Sequence, residues 1–162
     1  MLRDVSISDA GRITEIYNYY IENTAVTFDE EKVTVKDTEQ KIAAILKKRY
    51  PYIVCEESGQ ITGYAYLNTW RPQSAYNMAL ETSIYFDAGF TGKGLGSILY
   101  QELITRARNI NIHTLIGVLS IPNEASRKLH EKFGFRLAGT FRETGYKFNR
   151  LIDVEYWQLF LL

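Results

Sequence analysis

The sequence is poor in the features that mark an extracellular, membrane-spanning or nucleic-acid-binding protein. Its single cysteine, Cys55, has no partner for an internal disulfide, so a reducing, cytoplasmic setting is expected. Its charges cancel, 19 basic against 19 acidic residues, leaving no basic surplus for nucleic acid or an anionic membrane. No apolar run approaches the roughly 18–20 residues of a membrane span, and Met1-Leu2-Arg3-Asp4 opens no secretory signal. Repeats and low-complexity stretches are missing, which argues against a solenoid or a linker. Only two histidines occur, and no His/Cys/Asp cluster has metal-ligand spacing, so no metal is expected. The absence of a G-x-S-x-G elbow removes a serine hydrolase of the α/β type.

What is present fits one domain over residues 1–162, with 46% hydrophobic residues to build a core. Aromatic residues reach 14%, and 12 of them are tyrosines against 8 phenylalanines. Tyrosine tolerates a half-wet site, so a pocket or partner surface is expected. The patterning predicts a short strand over 2–6, then a helix capped by Ser8 with Ile13, Ile16, Tyr17, Tyr20 and Ile21 on its packing face. Thr34 and Asp37 read as the capping box of a second helix through Ile42, Ile45 and Leu46. A hairpin about Ser58-Gly59 joins strands 52–57 and 60–68, and another strand covers 79–86. A helix with Leu95, Ile98, Leu99, Leu103 and Ala107 on one face comes next. A buried strand over 114–120, a helix to about Lys132 and strands over 135–141 and 154–161 complete the order. Such mixing predicts an α/β or α+β fold with helices on both faces of the sheet.

The most informative stretch is Gly92-Lys93-Gly94-Leu95-Gly96-Ser97, between a strand and a helix. Closely approaching backbone amides at a helix start, reinforced by the helix dipole and by Lys93, make an anion site suited to a pyrophosphate. The competing reading is a tight corner and nothing more. A Walker sequence is absent. A dinucleotide fingerprint fails at Ser97, and strand 114–120 ends without the acid that would bind a ribose.

The stretch Thr91-Gly92-Lys93-Gly94-Leu95-Gly96 resembles the Gln/Arg-x-x-Gly-x-Gly/Ala motif of the GNAT superfamily of N-acetyltransferases, with Thr91 in place of the usual first residue. Asn123, Ser126, Leu129, Gly134 and Phe135 match a second motif of that superfamily at the expected spacing. Ala75-Tyr76, Glu81, Ile84-Tyr85, Leu129-His130-Glu131, Gly145-Tyr146-Lys147, Asp153-Val154 and Trp157-Gln158 extend the likeness to the phosphinothricin acetyltransferase branch. The resemblance implies a GNAT fold with a mixed central sheet of about seven strands. It also implies acetyl-CoA as co-substrate, a small amino-acid-like amine as acceptor (phosphinothricin, methionine sulfoximine or methionine sulfone), and a cytoplasmic homodimer. Acetylation of a protein N-terminus, a lysine or a polyamine is the alternative chemistry; a non-catalytic acetyl-CoA-binding regulator is the alternative class.

Acetyl transfer needs a neutral amine and a proton for the departing thiolate. Glu81 is the candidate base, set among Ala79, Leu80 and Ile84; a surface glutamate is the other reading. His130 occupies a position where the superfamily usually has tyrosine, and can either donate a proton or merely cap and pack. By resemblance, Ile84, Tyr85 and Phe86 offer backbone contacts to the pantetheine arm. The amides of Gly92 to Ser97 hold the pyrophosphate, Asn123 bonds the pantetheine amide, and Ser126 lies near the phosphate. Asn123 as a helix cap is compatible with that role. Thr27, Phe28, Arg71 and Tyr76 are the candidate acceptor residues, with Arg71 suited to an α-carboxylate. Arg142, Tyr146 and Lys147 shape either the same mouth or a dimer surface.

Overall fold

In the computed structural model, which describes residues 1–161, seven strands form one mixed sheet in the order β1-β2-β3-β4-β5-β7-β6. The strands are β1 (Leu2–Asp4), β2 (Tyr52–Glu57), β3 (Gln60–Thr69), β4 (Ala79–Phe86), β5 (Thr114–Ser120), β6 (Arg136–Lys147) and β7 (Arg150–Phe160). Four helices connect them: α1 (Ala10–Asn23), α2 (Val35–Lys47), α3 (Leu95–Asn109) and α4 (Glu124–Lys132). The α/β class, the helices on both faces and the element order all agree with the patterning.

Alternation along β2 and β3 divides the core between the two faces. Ile53, Cys55, Ala65 and Leu67 point to one side and pack with Leu99, Tyr100, Leu103 and Ile104 of α3. Tyr52, Val54, Tyr64 and Tyr66 point to the other and meet Ile13 and Ile16 of α1 and Ile42 and Ile45 of α2. Cys55 is a buried member of the first cluster, as its place in an alternating strand suggested.

Three local expectations change. Ser8 does not cap α1. A single 3-10 turn over Ile7–Asp9 precedes the helix, and Asp9 accepts from the Ser6 amide at 2.7 Å while Arg3 grips it from the other side at 2.9 and 3.0 Å. Ile98 lies 58% exposed, because the buried stripe of α3 turns through Leu99, Tyr100, Leu103, Ile104 and Ala107 instead. β6 and β7 run on to a tight turn at Phe148 and Asn149, both at positive φ, whereas the sequence suggested two shorter strands. Polar and glycine residues over 142–150 hid that hairpin, since most of its β6 half is exposed and carries no apolar alternation. The Thr34–Asp37 capping box forms as expected, with Asp37 N donating to Thr34 Oγ1 at 3.1 Å.

The feature that positions the site is the only parallel pairing among the described residues. β4 and β5 run side by side through Ala79↔Thr114, Leu80↔Leu115 and Glu81↔Ile116, and then separate. Beyond Glu81, β4 stays paired to β3 while β5 stays paired to β7. One edge of each strand therefore faces a V-shaped gap with its backbone groups unpaired by the sheet.

Candidate active site

Glu81 sits at the apex of that gap. It lines a cavity of about 300 Å³ with residues of β4, the tip of β5, α4 and the segment between α1 and α2. Its carboxylate has no hydrogen bond or ion pair among the described residues, so its acceptor capacity is available to whatever enters. Burial pushes the Glu81 carboxyl up from the ordinary range, and the nearby positive charges of Arg71 and Lys41 act in the opposite direction. A carboxylate so placed is a stronger base than one in water.

A second cavity, about 480 Å³, holds the glycine turn. Gly92 and Gly94 adopt φ of +79° and +77°, conformations a side chain would strain, and Gly94 is the residue preceding the first turn of α3. A Cβ at either position would meet nothing within 4 Å, so the turn borders open space. The first amides of α3 have no carbonyl partners of their own and the dipole favours an anion there. Lys93, whose ammonium lies 4.9 Å from the Phe90 ring, and Lys132, which donates to Ser97 Oγ at 2.9 Å, add positive charge to the rim. These residues fit the pyrophosphate of a coenzyme.

Val26, Ile84, Asn123 and Ser126 line both cavities, so the glycine turn and Glu81 open into one continuous groove. Of the expected coenzyme residues, Gly92 to Ser97, Phe86, Ile84, Asn123 and Ser126 border the coenzyme end, and Tyr85 lies at the Glu81 end. Asn123 does cap α4, accepting from Ser126 N at 3.2 Å. The Phe86 carbonyl is taken by the Tyr20 hydroxyl; Asp87 N bonds Thr62 O of β3, so by alternation Tyr85 also faces β3 and Ile84 is the freer backbone toward the gap.

His130 is only 3% exposed, and both of its ring nitrogens are engaged. Nδ1 donates to the Ser126 carbonyl at 2.7 Å; Nε2 therefore accepts, from Tyr100 Oη at 3.0 Å. Tyr100 Oη in turn lies 2.8 Å from Thr82 Oγ1, on the residue next to Glu81. Burial lowers the imidazole's affinity for a proton. Gly117 makes this possible, because a Cβ there would lie 2.3 Å from His130 Nε2.

The acceptor residues divide. Thr27 and Phe28 line the Glu81 cavity. Arg71 and Tyr76 do not. Both pack on Trp70, Arg71 over its ring at 4.8 Å and Tyr76 edge-on at 5.4 Å. Past the end of β3 the chain turns away from the gap, and Arg71 borders a separate, mainly apolar cavity formed with β5, β6 and β7. Its charge still reaches Glu81. Conversely, Tyr17 and Tyr20 do more than pack a helix face. Tyr17 lines the Glu81 cavity, bonds Thr27 Oγ1 at 2.9 Å and donates to Asp29. Tyr66 and Thr82 join the lining without having been singled out; the tyrosine excess was the only signal for the first. Among the described residues no group of three potential metal ligands occurs.

Comparison with known proteins agrees with this geometry. Residues 2–156 match the model of the acetyltransferase (GNAT) domain. The chain is 32% identical to the phosphinothricin N-acetyltransferase of Streptomyces viridochromogenes, over 97% of this chain and 85% of that one. It is 34% identical to an L-methionine sulfoximine/L-methionine sulfone acetyltransferase of Pseudomonas paraeruginosa, over 98% of this chain and 92% of that one. Its fold superposes with a TM-score of 0.95 on a phosphinothricin acetyltransferase of Sinorhizobium meliloti in complex with acetyl-CoA, at 33% identity, covering 98% of this chain and 86% of that one. The groove from glycine turn to half-buried carboxylate, and a match along nearly the whole chain, place this protein in the GNAT family as an N-acetyltransferase that uses acetyl-CoA as its co-substrate.

Proposed function

We propose that the acceptor is the amino group of a small amino-acid-like molecule of the phosphinothricin, methionine sulfoximine or methionine sulfone type, and that Glu81 is the base. The observation that carries this reading is the unpartnered, half-buried carboxylate of Glu81, at the closed apex of a groove whose other end is an anion cradle. Acetyl-CoA supplies the activated acyl group. In the groove Glu81 takes a proton from the incoming ammonium, whose pKa is about 8 for an α-amino group, so the removal is easy at neutral pH. The C–N bond then forms as the C–S bond breaks. The second proton of the nitrogen goes to sulfur, and Glu81 returns the first to solvent, which balances the products amide, thiol and one proton. His130, with Nδ1–H committed to Ser126, acts as a positioning residue that holds Tyr100 and Thr82 beside the gap.

We further place the protein in the cytoplasm, as its free buried Cys55 suits, and pair it as a homodimer through the β6–β7 face. Phe141 and Phe160, 59% and 61% exposed, lie with Tyr156 on one face of that hairpin and offer it an apolar contact. Among the described residues no helix is long and apolar enough to cross a membrane.

The test is thiol release from acetyl-CoA across a panel of amines. Turnover with methionine sulfone or phosphinothricin, falling at least about 100-fold in Glu81→Gln, the usual worth of general-base catalysis, is the expected result. Turnover confined to polyamines or peptide N-termini would replace the acceptor class. Binding of acetyl-CoA with no turnover on any amine would identify a regulator. Sedimentation of the wild type and of Phe141→Glu distinguishes dimer from monomer.

A further inference from the structure

Lys147 is 3% exposed at the end of β6, an unusual place for an ammonium group. It forms no ion pair among the described residues. Its Nζ donates instead to the carbonyls of Thr24 and Thr27, each at 2.8 Å. Those carbonyls belong to the segment between α1 and α2, which contributes Val26, Thr27 and Phe28 to the wall of the Glu81 cavity. Ser120, at the tip of β5, donates to the carbonyl lying between them, that of Ala25. Three residues on, Phe28 lies against the bare α-carbon of Gly145, where a Cβ would come within 2.3 Å of the ring. The strap over 24–28 is thus fastened to the far arm of the V by a lysine, a serine and a glycine. Its near end is held to α1 by Tyr17 through Thr27 Oγ1 at 2.9 Å.

From this geometry we infer that Lys147 is a positioning residue for acceptor selection: it clasps the strap across the open end of the gap and thereby limits the acceptor to a single amino acid. The inference rests on the acceptor reading above. The strap carries no regular secondary structure and cannot hold its own shape, so its carbonyls need outside donors. A buried ammonium is a strong one, because a charge-assisted hydrogen bond in a site shielded from water exceeds a neutral pair. Desolvation lowers the lysine's proton affinity while Asp29 and Glu30 support it, so the charged form has neighbouring compensation. A clasped strap leaves room for a free amino acid; a released one lets the gap admit a longer amine.

Lys147→Met keeps the aliphatic stem and removes the donor. In this variant, which loses both hydrogen bonds from the ammonium, we expect acceptor KM to rise at least about tenfold. Acetyl-CoA affinity should stay within about threefold of wild type, and the kcat/KM ratio of methionine sulfone to a methionine dipeptide should fall. Ser120→Ala, a milder release of the same strap, should move the same parameters in the same direction. Amide hydrogen exchange over 24–29 should accelerate in both variants while α3 keeps its protection, a readout that needs no turnover and guards against a variant that simply unfolds. Unchanged exchange over the strap in folded Lys147→Met would overturn the clasp. Faster exchange with an unaltered acceptor KM and dipeptide ratio would overturn the selection role. Wild-type protein inactive on every amino acid would instead sink the acceptor reading and leave the exchange result to judge the clasp alone.

Discussion

Replacing Gly117 by alanine tests whether the buried chain behind Glu81 is as rigid as its contacts imply. The new methyl would lie 2.3 Å from His130 Nε2 and 2.6 Å from Cδ2, well inside van der Waals contact. Gly117 has no positive φ, so the backbone accepts alanine and the reduced freedom of the unfolded chain stabilises by about 0.4–1 kcal/mol. The imidazole has little room to yield. Ser126 and Tyr100 hold its two nitrogens, and the Phe135 ring stands edge-on with centroids 4.8 Å apart. Overpacking of this kind costs about 1–3 kcal/mol. Displacing the ring also breaks two buried hydrogen bonds, roughly 1 kcal/mol each. The sum is a net loss of about 2–5 kcal/mol, read as a lower urea midpoint with an unchanged m-value. In a His130→Ala background the methyl enters vacated space, so the same change should cost under about 1 kcal/mol and the double-mutant cycle should show a coupling of at least roughly 1 kcal/mol. A Gly117→Ala protein within about 0.5 kcal/mol of wild type, with the imidazole resonances of His130 unmoved, would refute the packing argument.

Three other perturbations have defined outcomes. Burial raises the pKa of Glu81 above its unfolded value, so ionised Glu81 disfavours the native state above that range. Glu81→Gln should therefore melt higher than wild type at neutral pH, lose that advantage as pH falls below the ordinary carboxylate pKa, and abolish the acidic limb of the kcat/KM profile. Gly94→Ala forces an L side chain to φ +77°, at a cost of about 1–2 kcal/mol in denaturant, and should weaken acetyl-CoA binding in calorimetry because the cradle must distort. Tyr100→Phe leaves His130 Nε2 without a donor and Thr82 Oγ1 without the tyrosine hydroxyl; it should lose about 1–3 kcal/mol and lower kcat more than it alters acetyl-CoA affinity.

The sequence revealed the parts of this molecule that rest on local rules. Helical spacing marked α1 through Ile13 and Ile16, and turn chemistry at Ser58-Gly59 marked the β2–β3 hairpin, where both residues indeed adopt positive φ. The glycine turn was legible because Gly92 and Gly94 take positive φ, which an L side chain would strain. What stayed hidden depends on contacts between distant segments. Ile98 has the spacing of a core residue, yet only the rotation of α3 on the sheet decides that Tyr100 and Ile104 are buried in its place. Tyr17 looked like helix packing, because its hydroxyl partners Thr27 and Asp29 enter only once the following segment folds back. Lys147 lies 120 residues from Thr27, and no periodicity connects a β6 lysine to a loop carbonyl at that separation.

The same separation explains how one irregularity in the sheet produces the whole site. A fully paired β4–β5 ladder would satisfy its own backbone and leave no groove. Ending the pairing at Glu81↔Ile116 exposes two strand edges, costs the sheet those hydrogen bonds and leaves a carboxylate half-buried at the apex. Side chains from several segments then close around the gap. Tyr20 takes the Phe86 carbonyl on the β4 side; on the far side Ser120 and Lys147 reach across to the strap. Glu81, without a protein partner among the described residues, and the first amides of α3 are the groups that the proposed reaction would use. Stability and chemistry therefore compete at a single apex, so substitutions that quiet Glu81 should stabilise the fold while those that loosen its surroundings should not.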